Sequence, residues 1–322
     1  MSEHGEYGQE NRKFLVGIYK PQPSEVFMKV APDIPLPAKC DLRTLVGPLE
    51  VYNQGSLGSC TANAIASAYK LMSFMKYRKK VAISRLFVYY NERVMINQVF
   101  QDSGAFIKDG FMSMQTQGAC LEAYWPYNES MLTIRPPQIY YKEARSHQTN
   151  SYNAQLDPRD MVKSIKQCLA LNLPVVIGVL VYDSFQSAQA ASTGLIPYPN
   201  VQTEKLLGGH AICCIGYDDS LNHFIFVNSW GTVWGNQGVG YIPYAFIANN
   251  DLCNDCHAFL NVELRLLGDH QVTSLFVRLD KGLNQCLRLV LIEMNQTKTP
   301  ITTGRFKARH CLIDLTMSLG SS

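Results

Sequence analysis

Residues 59–80, SCTANAIASAYKLMSFMKYRKK, contain neither Gly nor Pro, and Ile65, Tyr69, Met72 and Lys76 recur on one helical face. With Ala62, Ala66 and Ala68 permitting close approach, this spacing predicts a buried helix that starts at or just before Cys60. A second helical period, Met161, Val162, Ile165 and Leu169, falls within residues 158–172. The pattern then changes. Val175–Tyr182 reads VVIGVLVY, a continuous β-branched run that predicts a strand buried on both faces. Residues 211–217 and 223–229, separated by the polar stretch 218–222, predict a two-stranded hairpin. Helices first and strands second is the order of an α+β protein with segregated layers.

Residues 1–35 are polar, with Pro21, Pro23, Pro32 and Pro35, and predict an extended arm rather than a packed element. The chain of 322 residues is 47% hydrophobic and 17% charged, which excludes a disordered or fibrous class and allows a sizeable core. A net charge of +3 is too small to indicate a nucleic-acid binder. The N-terminus has no apolar run of signal-peptide length, and no segment approaches the ~18 apolar residues of a membrane span. The expectation is a chain without a membrane partner, on the cytosolic side or packaged in a virion. In that compartment its ten cysteines are expected to be mostly free thiols.

Candidate chemistry centres on Asn53-Gln54-Gly55-Ser56-Leu57-Gly58-Ser59-Cys60, where a Gly-punctuated turn delivers a cysteine to a helix start. Free N–H groups and the positive end of the helix dipole favour thiolate over thiol. A small buried cysteine at a helix start is the ordinary alternative. His210, in Leu206-Leu207-Gly208-Gly209-His210-Ala211, has two glycines that leave room around its ring, and Asn228 follows in Asn228-Ser229-Trp230-Gly231. On adjacent strands the amide oxygen of Asn228 would hold the imidazole, with Trp230 covering that bond from water. A hydrogen-bonded structural histidine and a core tryptophan are the plainer readings.

The blocks NQGSLGSC, GGHAICCIGYDD and NSWGTVWGNQGVGYIPYAFI, in the order Gln, Cys, His, Asn, resemble the signatures of the papain-like cysteine peptidases (family C1). Asp41-Leu42-Arg43, Ser84-Arg85-Leu86-Phe87 and Asp102-Ser103-Gly104-Ala105 place the resemblance nearest the bacterial and large-DNA-virus branch. The resemblance implies a papain-like fold, with a helical lobe at about 40–155, a β-barrel-like lobe at about 156–265 and the site between them. It implies that Cys60 attacks the scissile carbonyl and forms an acyl-enzyme, and that His210 is its ion-pair partner and proton carrier. Asn228 would orient His210, and Gln54 would donate to the oxyanion. Gly104 and Gly209 would contact an extended substrate, and Trp234 would wall the leaving-group side. No metal or organic cofactor is implied.

Two departures matter. Leu57 stands where the family has a disulfide cysteine, and Thr61 where it has tryptophan; both suit a disulfide-poor branch. The arm, residues 1–35, reads either as a short inhibitory segment across the cleft or as a loose leader. Residues 266–322 carry seven Lys or Arg against four acids, and seven minus four equals the net charge of the whole chain. This extension is expected to form short strands, serving as a partner-docking module or an addition to the main sheet. Cys253-Asn254-Asp255-Cys256-His257 invites a zinc reading, but a single CxxC lacks a second ligand pair. The expected function is endopeptidase cleavage of peptide or protein substrates. Exopeptidase action, another Cys-His acyl transfer and a non-catalytic binding role are the alternatives.

Overall fold

In the computed structural model, which describes residues 35–149, 158–259 and 262 and the backbone of short strands at 27–28, 154–156, 275–277, 291–293, 307–308 and 311–312, the Gly- and Pro-free stretch forms the helix Cys60–Tyr77. Every residue from 60 to 73 is buried, so this helix is a central strut with no solvent face along most of its length. Its alanines allow that: Ala62, Ala64, Ala66 and Ala68 are all buried and let neighbours approach its backbone. Arg78 ends it in the left-handed conformation, its N–H donating to Phe74 O. The helices Arg85–Met95 and Ile107–Thr116 pack against it. The first of these is capped by Ser84, whose side chain accepts from the Phe87 N–H.

Val175–Tyr182 lies inside an antiparallel sheet, paired with Leu206–Asp218 on one side and Cys253–Ala258 on the other. Its first five residues are all buried although alternate ones point to opposite faces, because helices cover both. His223–Val227 and Val239–Pro243 continue the sheet beyond Leu206–Asp218. Lys39–Asp41 pairs with the far end of that long strand. Gly216 is required there, since a β-carbon would fall 2.5 Å from Cys40 O. At the opposite edge Ala154–Leu156 pairs with Cys253–Ala258, and Phe27–Met28 runs parallel to Gln155 and Leu156.

The helix predicted at residues 158–172 is Met161–Ala170, preceded by one 3-10 turn at Pro158–Asp160. The hairpin differs at both ends. Its first strand begins at Leu206, because Leu206–Gly209 pair with Leu180–Tyr182. Its second ends at Val227, because the Asn228 N–H turns to Gly238 O and the Ser229 N–H to Asn228 Oδ1. In the C-terminal extension Leu275–Val277 pairs antiparallel with Leu291–Glu293, and Lys307–Ala308 with Cys311–Leu312. The remaining arm and tail positions, including Pro21, lie outside the described residues. No helix among the described residues is long and apolar enough to cross a membrane. The eight cysteines whose side chains are described are free thiols.

One buried histidine of the helical side makes stability depend on pH. His147 is 4% exposed and packs edge-on to Tyr69, and burial pulls its imidazole from 6.5 down to about 4. Between those values the unfolded chain binds a proton that the folded one does not, so stability falls as pH drops through that window. His147→Gln is expected to remove about 2 kcal/mol of the stability lost between pH 7 and pH 5. Denaturant unfolding at the two pH values measures it; an unchanged pH slope in the variant would count against this account.

Candidate active site

Four segments meet around Cys60. The turn 53–59 is stitched to the far side of the molecule by two backbone bonds: Gln54 N–H donates to Ser229 O at 2.8 Å, and Gly231 N–H to Tyr52 O at 3.0 Å. Gly55 takes a left-handed φ of +60° in this turn, and the Asn53 side chain accepts its N–H. Asp102 holds the other end, accepting the Gly58 N–H at 2.8 Å. Cys60 follows as the first residue of the helix, 4% exposed.

Cys60 and His210 line one shallow recess together with Gly58, Thr61, Ala105, Ile107, Gly178, Gly209 and Ala211. Burial pushes the Cys60 thiol up to about 11, opposed first by a hydrogen bond from the Ala211 backbone and then by those of Thr61 and Cys60 itself. Nearby Glu92 pushes it in the same direction as burial. Burial likewise pulls His210 down to about 4, with the Asn228 hydrogen bond opposing. Neither charge is favoured alone in so dry a site.

His210 Nε2 lies 2.8 Å from Asn228 Oδ1. The same oxygen accepts the Ser229 N–H at 2.8 Å, which fixes it as the amide's acceptor end. The proton of that bond is therefore on Nε2, leaving Nδ1 as the basic nitrogen. Trp230 stacks on the imidazole at 4.7 Å and 24°, and Trp234 stands edge-on to Trp230 at 5.4 Å. Phe185 closes the remaining side of the ring, 6.4 Å away.

Gln54 is almost wholly buried, and its amide is fixed at both ends. Its Oε1 accepts from Ser229 Oγ at 2.6 Å, and one Nε2 hydrogen goes to Leu57 O at 2.9 Å. The amide carries a second Nε2 hydrogen. Gly104 adopts φ +69°; its N–H donates inward to Tyr89 Oη at 3.1 Å, and its carbonyl accepts from Ser103 Oγ. Ala105, the next residue, lines the recess in its place. Gly209 lines it as well, and Trp234 sits behind Trp230.

Several supporting residues had no signal of their own in the sequence. Tyr89 also hydrogen-bonds Asp102, so one phenol ties the nucleophile turn to the Gly104 segment. Thr61, which stands where the family has tryptophan, donates to the fully buried Glu92 at 2.7 Å, and burial pushes that carboxyl up to about 8. Ser229 lies inside the NSWG block, yet its partner Gln54 is 175 residues away. The CxxCH stretch is a buried strand in which Cys253 and Cys256 sulfurs lie 3.8 Å apart and His257 Nε2 meets Asp255 Oδ1 at 2.5 Å.

With this geometry in hand, comparisons with known proteins agree on one class. Residues 36–260 match the profile of the papain family cysteine proteases. An uncharacterised peptidase C1-like protein of Acanthamoeba polyphaga mimivirus is 37% identical over 225 residues, 67% of this chain and 72% of that one. Peptidase 1 of Euroglyphus maynei is 26% identical over 227 residues, which span 68% of this chain and 63% of the relative. Xylellain, a cysteine protease from Xylella fastidiosa, superposes with a TM-score of 0.70 at 32% identity, covering 79% of this chain and 97% of its own. The chain belongs to the papain family of cysteine proteases, family C1, and has its mixed α+β fold. It is a hydrolase of the thiol-protease type.

Proposed function

We propose that the chain is an endopeptidase in which Cys60 is the nucleophile, His210 its base and acid, Asn228 the orienter and Gln54 an oxyanion donor. The observation that carries this is the His210–Asn228 bond of 2.8 Å, beneath Trp230 and in the same recess as Cys60. With Nε2 protonated, Nδ1 takes the Cys60 proton, and the resulting ion pair stabilises two charges that burial disfavours singly. The thiolate attacks a substrate carbonyl. The oxyanion is met by the Cys60 backbone N–H and the second Nε2 hydrogen of Gln54, and the His210 imidazolium protonates the leaving amine. Water then attacks the acyl-enzyme with His210 as base. Cleavage within chains is favoured over removal of terminal residues because the sequence contains nothing resembling an occluding loop.

The arm is read as an inhibitory segment. Its supporting observation is the pairing of Phe27–Met28 along Gln155 and Leu156, which docks part of the arm on the sheet. An epoxysuccinyl inhibitor is expected to label Cys60 stoichiometrically, and deletion of residues 1–34 to raise both labelling rate and peptide hydrolysis. Labelling elsewhere would overturn the nucleophile assignment, and no gain on deletion would remove the arm from the mechanism.

A further inference from the structure

The turn that carries Gln54 and Cys60 leans on a segment that the hydrolytic steps leave unused, residues 121–132, with Tyr127 at its centre. A phenol has one hydrogen, and Tyr127 Oη gives it to the Gln54 backbone carbonyl at 2.8 Å. The same oxygen lies 2.5 Å from Ser59 Oγ, so in that contact the serine is the donor. Ser59 Oγ in turn accepts from Asn63 Nδ2 at 3.0 Å. One directed chain thus runs from Asn63 through Ser59 and Tyr127 to Gln54, and hydrogen bonds in such a chain strengthen one another.

Both ends of the chain bear on an oxyanion. At one end it holds the backbone of Gln54, whose side-chain amide is already fixed by Ser229 and Leu57. At the other it reaches the peptide unit between Ser59 and Cys60. The Ser59 carbonyl accepts the Asn63 N–H at 3.1 Å and Asn63 Nδ2 at 2.9 Å. Because a peptide unit is planar, fixing that carbonyl fixes the direction of the Cys60 N–H across the same bond. The two donors read as serving the oxyanion are therefore joined through one phenol, 73 positions beyond Gln54.

Tyr127 is itself held. The Arg85 guanidinium lies over its ring at 4.1 Å and over the Tyr52 ring at 4.4 Å. Arg85 Nη1 donates to Asn53 O at 3.2 Å and Asn63 Oδ1 at 3.1 Å, and Nη2 to Glu122 at 2.7 Å. Glu122 also accepts the Tyr127 N–H, at 3.1 Å. Further along, Glu129 receives the Ser56 N–H at 3.2 Å and the Ser56 hydroxyl. A β-carbon on Gly55 would fall 1.8 Å from Glu129 Oε1, so glycine at that position leaves the carboxylate its place.

We propose that Tyr127 is a positioning residue of the oxyanion site, setting the Gln54 amide and the Cys60 N–H in register with each other. The inference rests on the reading of those two groups as the oxyanion donors. Tyr127 stands outside the residues that line the recess, so its effect passes through the alignment it maintains. A donor to the transition state has its full effect only at the right distance from the developing charge, so loss of alignment falls on kcat and not on KM.

The test is a double-mutant cycle in the full chain with a fluorogenic peptide substrate. Tyr127→Phe keeps the ring beneath Arg85 and removes only the oxygen. It is expected to lower kcat about tenfold and to hold KM within about twofold of wild type. In the Gln54→Ala background, where no amide remains to be aligned, the same change should lower kcat by about twofold at most. Alkylation of Cys60 by iodoacetamide needs the thiolate but builds no oxyanion, and its rate in Tyr127→Phe should stay within about twofold of wild type. Equal kcat losses in the two backgrounds, or a parallel fall in alkylation, would overturn the proposal and leave Tyr127 a residue of the fold alone. Ser59→Ala cuts the chain at its other link and is expected to repeat the pattern with a loss of about fivefold. If Tyr127→Phe fails to fold, the cycle with Ser59→Ala decides by the same criterion. A Gln54→Ala kcat equal to wild type would instead overturn the oxyanion reading, and this inference with it.

Discussion

Cys60→Ser is expected to lower kcat/KM for peptide hydrolysis by a factor on the order of 10⁴ to 10⁶ while leaving the melting temperature nearly unchanged. The substitution keeps the side-chain shape and exchanges only sulfur for oxygen. Everything that favours an anion at this position is tuned to a thiol: the helix N-terminus, the Ala211 backbone hydrogen bond and the adjacent imidazole. A serine hydroxyl is too weak an acid for these to ionise, and His210, drawn down by burial, is too weak a base to help. Substrate affinity should survive, because the recess is built mainly from Ala105, Ile107, Gly178 and the Gly209–Ala211 backbone. Retention of a tenth of the activity by purified Cys60→Ser protein would mean that another group performs the attack.

Gln54→Ala should cost roughly 10² to 10³ in kcat with little change in KM, the pattern of a donor that acts on charge developing in the transition state. The structure adds a graded companion. Ser229 Oγ–H holds Gln54 Oε1, and losing that one bond should weaken orientation without removing the donor. Ser229→Ala is therefore expected to lower kcat about fivefold, in keeping with about 1 kcal/mol for one hydrogen bond. Steady-state kinetics on the two variants separates the roles. A loss in Gln54→Ala that appears mainly in KM, or a Ser229→Ala loss as large as that of Gln54→Ala, would argue that Gln54 serves the fold rather than the oxyanion.

Much of the architecture was visible in the residues because its causes are local. The helical spacing in the Gly-free run from Cys60 and the unbroken apolar run Val175–Tyr182 predict a helix and a strand, and both form at those positions. The ordered Gln54, Cys60, His210 and Asn228 identified the family because those side chains are themselves the signature. What stayed hidden depends on how distant strands register. Nothing in a linear reading places Asp255 opposite Gly178, or Ser229 against Gln54 across 175 positions. Tyr89 looks ordinary until folding sets its phenol on Asp102, the carboxylate that holds the nucleophile turn. The second hairpin strand stops two residues short of the sequence pattern, since Asn228 and Ser229 leave the ladder to bond Gly238 and each other.

The antiparallel stitch between residues 52–54 and 229–231 carries a consequence for biosynthesis. During translation the thiol appears long before its imidazole, its orienting amide and the segment that pins Gln54. A nascent chain displaying Cys60 thus lacks both the proposed base and the Gly178 and Gly209–Ala211 walls that bury the thiol. Competence arrives only when the strand bearing His210 and the loop after Val227 have emerged and closed onto the first-made turn. On the roles proposed for Cys60 and His210, hydrolysis has no means to begin before the second half of the chain has folded onto the first.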